Sequence, residues 1–217
     1  MTDKEIIRAH LTNYYNTSLG FTYFSGFCGA LKDARKMTGR NIELGVKDNS
    51  NNFGHLGSWL GTLGYLSLLD QIGNCFKLKN GPTLEENKSG IIKSLTNFSN
   101  LSENEIDVIY ALRNSFAHDF SLLNNGRRAG LKHHFSVDNS AYNPMIILPS
   151  NPWDGDIENM DDRNETYVNL QALGDFVEKL VKDLIQYNEN DRLEIVLPGG
   201  SNELKKRYSF VTGEKIL

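Results

Sequence analysis

Cysteine is scarce in this sequence, with only Cys28 and Cys75 among 217 residues. They stand far apart and neither belongs to a Cys-x-x-Cys pair, which argues against a zinc ribbon or a disulfide framework and leaves two buried free thiols. A long apolar run is lacking as well. The most apolar stretch, residues 53–69, is interrupted by Gly, Ser, Thr and His, so no membrane span is expected. The beginning, MTDKEIIRAHL, has acidic residues and no apolar centre. It does not read as a secretory leader, and the expected location is the cytoplasm. Positive charge is not in excess: a formal net charge of −4 predicts no general attraction to nucleic acid, so any polyanion site must be a local basic patch. No internal repeat or low-complexity segment is visible.

What is present is an ordinary globular composition, 39% hydrophobic and 23% charged, in a chain long enough for one domain with an embellishment. Thr2 and Glu5 have the spacing of a capping box, and Ile6, Ile7, Leu11 and Tyr14 follow at helical intervals. A second helical piece is expected over 30–37, a polar loop over 39–52, and a long helix over 53–78 with an apolar stripe of Leu56, Leu60, Leu63, Leu66, Leu69 and Ile72. Gly54, Gly57, Gly61 and Gly64 recur at intervals of three, four and three, which lines one helix face for close approach of another backbone, within the subunit or between subunits. A turn at 80–90 and a short helix at 91–98 precede Ser102 and Glu105, a second capping-box pair.

Residues 120–167 alternate in polarity and carry turn residues, with β-like runs at 132–137 and 145–148, and read as a hairpin or irregular insertion. An amphipathic helix follows, marked by Leu170, Leu173, Val177, Leu180, Leu184 and Tyr187, with Glu178 and Lys182 spaced to pair on its exposed side. The tail, 191–217, is β-like in two places. The expected fold class is therefore mainly α: a helical core over about 3–119 and 168–189, a small β-hairpin-like insertion over about 120–167, and short C-terminal β elements, all in one domain spanning 1–217.

The stretch ALRNSFAHDF, residues 111–120, carries the chemistry. At 100° per residue, Val108, Ile109, Leu112 and Phe116 share one face, while Asp107, Tyr110, Asn114 and His118 form a polar stripe on the other. Asn114 and His118 nearly superpose in projection, whereas Arg113 lies about 140° from His118 on an ideal helix. Histidine takes or gives a proton near neutral pH, a guanidinium fork grips phosphate oxygens, and an amide orients either partner. Those are the residue types that RNA phosphodiester transfer uses. A plain helix C-terminus, with His118 favouring the dipole and Arg113 in a surface ion pair, accounts for the same spacing. Arg128 and His133 repeat the four-residue gap without the polar second residue.

The string RNSFAH resembles the motif of the HEPN superfamily (higher eukaryotes and prokaryotes nucleotide-binding domains), in which Arg, a polar residue, three more residues and His stand at a helix end in a helical bundle. The resemblance implies a HEPN-like bundle and a metal-independent endoribonuclease that needs no cofactor, of the toxin or antiviral defence type. It implies Arg113, Asn114 and His118 as catalytic residues, RNA as substrate, and a homodimer through the motif-bearing helix. An antitoxin or a nucleotidyltransferase is the protein partner it suggests. The alternative it leaves is a catalytically inactive module that binds RNA, a nucleotide or a protein.

Arg127, Arg128, Lys132, His133 and His134 form the one dense basic cluster, and with Tyr110 they supply the candidate substrate contacts Tyr110, Arg127, Arg128, Lys132 and His133. A solvated loop with incidental charge accounts for the cluster as well. His133, His134 and Asp138 do not make a good metal set, because adjacent strand residues point to opposite faces. Trp153 reads as a packing anchor and Asp161 with Asp162 as solvated surface.

Overall fold

The computed structural model describes residues 2–12, 14–16, 22–48, 58–140 and 143–212. Its order of elements is α1 (Asp3–Thr12), β1 (Tyr14–Asn16), β2 (Thr22–Ser25), α2 (Gly26–Met37), α3 (Ser58–Cys75), β3 (Phe76–Leu78), α4 (Gly90–Phe98), α5 (Glu103–Asp119), β4 (Leu123–Asn125), β5 (Lys132–Asp138), β6 (Ile146–Ile147), β7 (Thr166–Asn169), α6 (Leu170–Glu189), β8 (Leu193–Ile195), α7 (Gly200–Tyr208) and β9 (Ser209–Thr212). Seven helices and nine strands among the described residues, the strands arranged in three sheets, make this a mixed α/β fold, not the mainly α bundle expected. Strands β1, β2, β3, β4 and β7, of three or four residues, escaped the sequence pattern, because period-two alternation needs more residues than that to declare itself. None of the described helices is long and apolar enough to cross a membrane.

The chain divides into two compact units, one of residues 1–33, 68–99 and 179–217, the other of 34–67 and 100–178. In the first, β1, β2 and β9 form an antiparallel sheet with Tyr14 opposite Phe24 and Thr22 opposite Thr212, and β3 pairs with β8 through Phe76 and Ile195. Thr2 and Glu5 do form a capping box: the Glu5 carboxylate accepts from the Thr2 N–H at 2.7 Å, and Thr2 Oγ1 accepts from the Glu5 N–H at 3.3 Å. Ile7, Leu11, Phe27, Leu69, Ile72, Phe76, Ile91 and Leu204 are buried in this unit. Helix α3 stops at Cys75, short of the expected Leu78, because residues 76–78 exchange helical hydrogen bonds for the ladder with β8. The tail differs too: α7 stands between β8 and β9, held at its start by the Gly199 N–H to Glu203 carboxylate bond of 2.7 Å. Residues 213–217 lie outside the described residues.

In the second unit, β4–β5–β7–β6 form a mixed sheet: β5 runs parallel to β7, while β4 and β6 lie antiparallel on their neighbours. The insertion is therefore a sheet whose central pair no hairpin could make, since parallel neighbours need a crossover. Gly61 and Gly64 face α2, where a Cβ would meet Thr38 Cγ2 at 2.5 Å and Ala34 Cβ at 3.0 Å. The glycine face thus serves a close helix crossing; Gly54 and Gly57 lie outside the described residues. Leu60, counted in the apolar stripe, is exposed.

Glu178 does not pair with Lys182 on the surface. It is buried, accepting from Arg35 Nε at 2.8 Å, Arg35 Nη2 at 2.7 Å and the Tyr65 hydroxyl at 2.8 Å. The exposed pair on α6 is Lys179 with Asp183 at 2.5 Å. Spacing offers Glu178 a lysine one turn on; only the fold offers it an arginine 143 residues away.

Candidate active site

Helix α5 carries the motif, and local hydrogen bonds close both its ends. Ser102 and Glu105 close the capping box, with the Glu105 carboxylate accepting from the Ser102 N–H at 2.8 Å and Ser102 Oγ accepting from the Glu105 N–H at 3.4 Å. At the other end Phe120 turns into the left-handed region (φ 48°, ψ 38°), and its N–H donates to the Ser115 carbonyl, a C-terminal closure that a non-glycine residue adopts at some cost. Ser115 Oγ ties the last turns to the following strand by donating to the Ala111 carbonyl at 3.1 Å and the Leu123 carbonyl at 3.0 Å.

Val108, Ile109, Leu112 and Phe116 are completely buried, as the 100° projection requires. Phe116, inside the motif, stacks on Trp59 with ring centroids 5.1 Å apart and planes 15° from parallel. That stack packs the backbone between Arg113 and His118 from behind, so the side chains on the opposite face leave a well-packed platform.

On that platform Arg113 and Asn114 are half-buried and His118 is exposed in the final turn. Arg113 Nη1 donates to Asn114 Oδ1 at 3.2 Å, so the long arginine bends around to the amide that shares a stripe with His118. A fork of cationic donors, an amide and a solvent-facing imidazole thus stand on one and a half turns of a helix end. Tyr110 is half-buried one turn earlier.

The basic cluster divides. Arg128 Nη2 pairs with Asp107 Oδ1 at 2.5 Å, which brings the turn after β4 onto the polar side of α5. Arg127 is exposed beside it. Lys132 Nζ donates to the Asp154 carbonyl at 2.7 Å. His133 is buried: its Nε2 lies 3.0 Å from the Gly130 carbonyl and so carries the proton, leaving Nδ1 to accept from the Thr166 hydroxyl at 2.8 Å. Burial pushes its pKa below the ordinary histidine value, against the opposing pull of that carbonyl. His134 points to the other face of β5, hydrogen-bonded to Asn164 and edge-on to Trp153 at 5.5 Å. His133 therefore acts as a support for the turn, with its ring nitrogens spent on protein partners and not presented to a substrate.

His133, His134 and Asp138 do not converge, and among the described residues no group of three or more His, Cys, Asp or Glu side chains could hold a metal ion. Trp153 is buried with Nε1 donating to the Asp156 carbonyl at 2.8 Å, a packing anchor. Asp161 closes a loop by accepting from the Arg163 N–H and guanidinium at 2.8 and 2.6 Å.

Two features had no clear signal in the sequence. Asp107 was visible on the polar stripe, but its pairing with Arg128, 21 residues on, was not. The buried group of Arg35, Arg40, Tyr65 and Glu178, with the exposed Asp175 paired to Arg40, joins residues from three separate segments. No family model matches the chain, and neither a curated protein nor a solved structure gives a significant match.

Proposed function

We propose that the chain is a metal-independent endoribonuclease of the HEPN type, acting in the cytoplasm as a toxin or an antiviral defence effector. The observation that carries this reading is the end of α5, where Arg113 bends to Asn114 at 3.2 Å and His118 faces solvent in the last turn. The likeness rests on this motif and not on the architecture, which is mixed α/β.

The chemistry assigned to these residues is transesterification. A base takes the proton of the ribose 2′-hydroxyl, the freed oxygen attacks the adjacent phosphorus, and the bond from phosphorus to the 5′-oxygen breaks. The departing 5′-oxygen takes up a proton, so the products are a 2′,3′-cyclic phosphate and a 5′-hydroxyl end. His118 supplies acid or base catalysis. The Arg113 guanidinium balances the charge that gathers on the phosphate oxygens, and Asn114 holds Arg113 and a phosphate oxygen in register. A homodimer that apposes two copies of α5 gives the acid and the base from two His118 residues, with an antitoxin or a nucleotidyltransferase as regulatory partner. Arg127 and Arg128 contact the RNA backbone, and Tyr110 lies along its path.

The test is incubation of the purified chain and its His118→Ala variant with RNA in excess EDTA, followed by identification of the product ends. Cleavage that leaves cyclic phosphate and disappears in the variant is expected, with a loss of at least about a hundredfold for a general acid or base. Cleavage that EDTA abolishes and the variant retains overturns the reading. RNA or protein binding with no cleavage by any preparation points instead to a binding module.

A further inference from the structure

The Asp107–Arg128 pair stands in an unusual place for a surface ion pair. Asp107 belongs to the polar stripe that continues through Tyr110 and Asn114 to His118, so the carboxylate draws Arg128 onto the face of α5 that carries the motif. The arginine side chain is 56% exposed and the aspartate 24%, so the guanidinium looks outward while its anchor is half sunk in the protein. The turn that bears Arg128 is pinned independently. The Leu131 N–H donates to the Arg128 carbonyl at 2.9 Å, His133 Nε2 to the Gly130 carbonyl at 3.0 Å, and Asn124 Nδ2 to the Leu131 carbonyl. A Cβ on Gly126 would lie 2.7 Å from Leu131 Cβ, and one on Gly130 3.2 Å from Asp107 Oδ2.

An exposed ion pair of this kind adds little to stability, so stability is a poor account of a buried histidine, a tight glycine contact and a carboxylate all fixing one turn. Fixing a long side chain before its ligand arrives is a better one, because the rotamer freedom an arginine loses on binding has then been lost already. The guanidinium has five N–H donors, and one carboxylate oxygen occupies one edge of the fork.

We infer that Asp107 is a positioning residue that sets Arg128 as a second phosphate contact on the α5 face, about 10 Å before Asn114 along the helix axis at 1.5 Å per residue. RNA is then held from the helix end back along α5, with Arg113 at the scissile phosphate and Arg128 at a phosphate further along the strand. This rests on the ribonuclease reading above.

The charges make the test decisive in sign. Removing an aspartate beside a polyanion strengthens binding on electrostatic grounds alone; removing a positioning aspartate weakens it. In the full chain carrying His118→Ala, so that the RNA stays intact, binding of a fluorescent single-stranded RNA in EDTA is followed by anisotropy over a range of salt. Asp107→Asn, Arg128→Ala and the double variant are compared. Arg128→Ala is expected to reduce the slope of log affinity against log salt by about 0.7, one phosphate contact on a single strand. Asp107→Asn is expected to weaken binding about fivefold, and the double variant no further than Arg128→Ala alone, since the two residues act as one. Asp107→Ser gives the same comparison if thermal melting shows the Asn variant disturbed. Tighter binding by Asp107→Asn, or a loss that persists without Arg128, overturns the positioning role, and the ribonuclease reading survives if the protein without these substitutions still leaves cyclic phosphate ends. An RNA that fails to bind the unaltered protein at any salt overturns both.

Discussion

Glu178 and His10 are buried titratable side chains that meet burial in opposite ways. Glu178 is met by Arg35, whose guanidinium reaches it with two nitrogens, and Tyr65 adds a third hydrogen bond. Burial, and after it the negative charge of Glu178, pushes the Tyr65 hydroxyl above its usual pKa. Removing the carboxylate strands the Arg35 cation in the interior, so Glu178→Ala should lower unfolding free energy by about 3–5 kcal/mol, read from urea titration. Gly45 belongs to the same group of contacts: at φ +70° its Cβ would fall 2.1 Å from Glu178 Oε2, which leaves no room for a side chain. His10 is instead buried neutral, among the rings of Phe27, Phe76 and Tyr208 at 5.5–6.0 Å, with Gln71 Nε2 donating to its Nε2 at 3.3 Å. Burial depresses its pKa from 6.5 to about 3. The unfolded chain therefore takes up a proton below about pH 6.5 that the folded chain refuses until about pH 3, so stability is full above 6.5 and falls on acidification through that window. The slope assigned to this residue is up to about 1.4 kcal/mol per pH unit, and His10→Phe should remove it from the difference between stability curves measured at pH 7 and pH 4.5.

Among the elements, α3 shows how a glycine pattern can be half legible. Gly61 and Gly64 repeat at helical spacing, and that regularity announced a face for close packing before any partner was known. Gly73 stands alone, and a lone glycine in a helix reads only as a loss of about 1 kcal/mol against alanine. Its partner is Gly90 at the start of α4: a Cβ on Gly73 would lie 1.8 Å from the Gly90 carbonyl oxygen, and a Cβ on Gly90 2.1 Å from the Asp70 carbonyl oxygen. Asp70 then caps α4 from the neighbouring helix, its Oδ1 accepting from the Ile91 N–H at 2.8 Å, while Ser89 at the cap position makes no side-chain cap bond. Gly73→Ala should therefore destabilise despite its gain in helix propensity, by more than the about 1–3 kcal/mol usual for overpacking, because backbone cannot move aside as a side chain can. Circular dichroism melting of Gly73→Ala beside an alanine substitution at an exposed α3 position, Ser67, checks the difference. The end of α5 was legible for the opposite reason: its capping box, its apolar face and its motif all lie within 19 contiguous residues, 102–120, and need no distant partner to be read.

At the scale of the molecule, each compact unit is assembled from separated stretches of chain, and the chain passes between units within α2, α3 and α6. Residues 100–178 contain the motif and the mixed sheet but lack Arg35, Tyr65 and the α2–α3 glycine crossing of 34–67. A fragment of residues 100–178 is accordingly expected to lack cooperative unfolding, and a dispersed amide NMR spectrum from it would refute that expectation. The sequence by itself determined the helices whose apolar period and caps are local, the face of α5 that enters the core, and the residue types gathered at its end. Tertiary structure decided that the fold is mixed α/β, that β5 and β7 run parallel, that His133 supports a turn, and that Glu178 lies inside. The physical reason is range: helix periodicity and capping act over three or four residues, whereas a strand's partner and a buried charge's counterion come from wherever the chain returns.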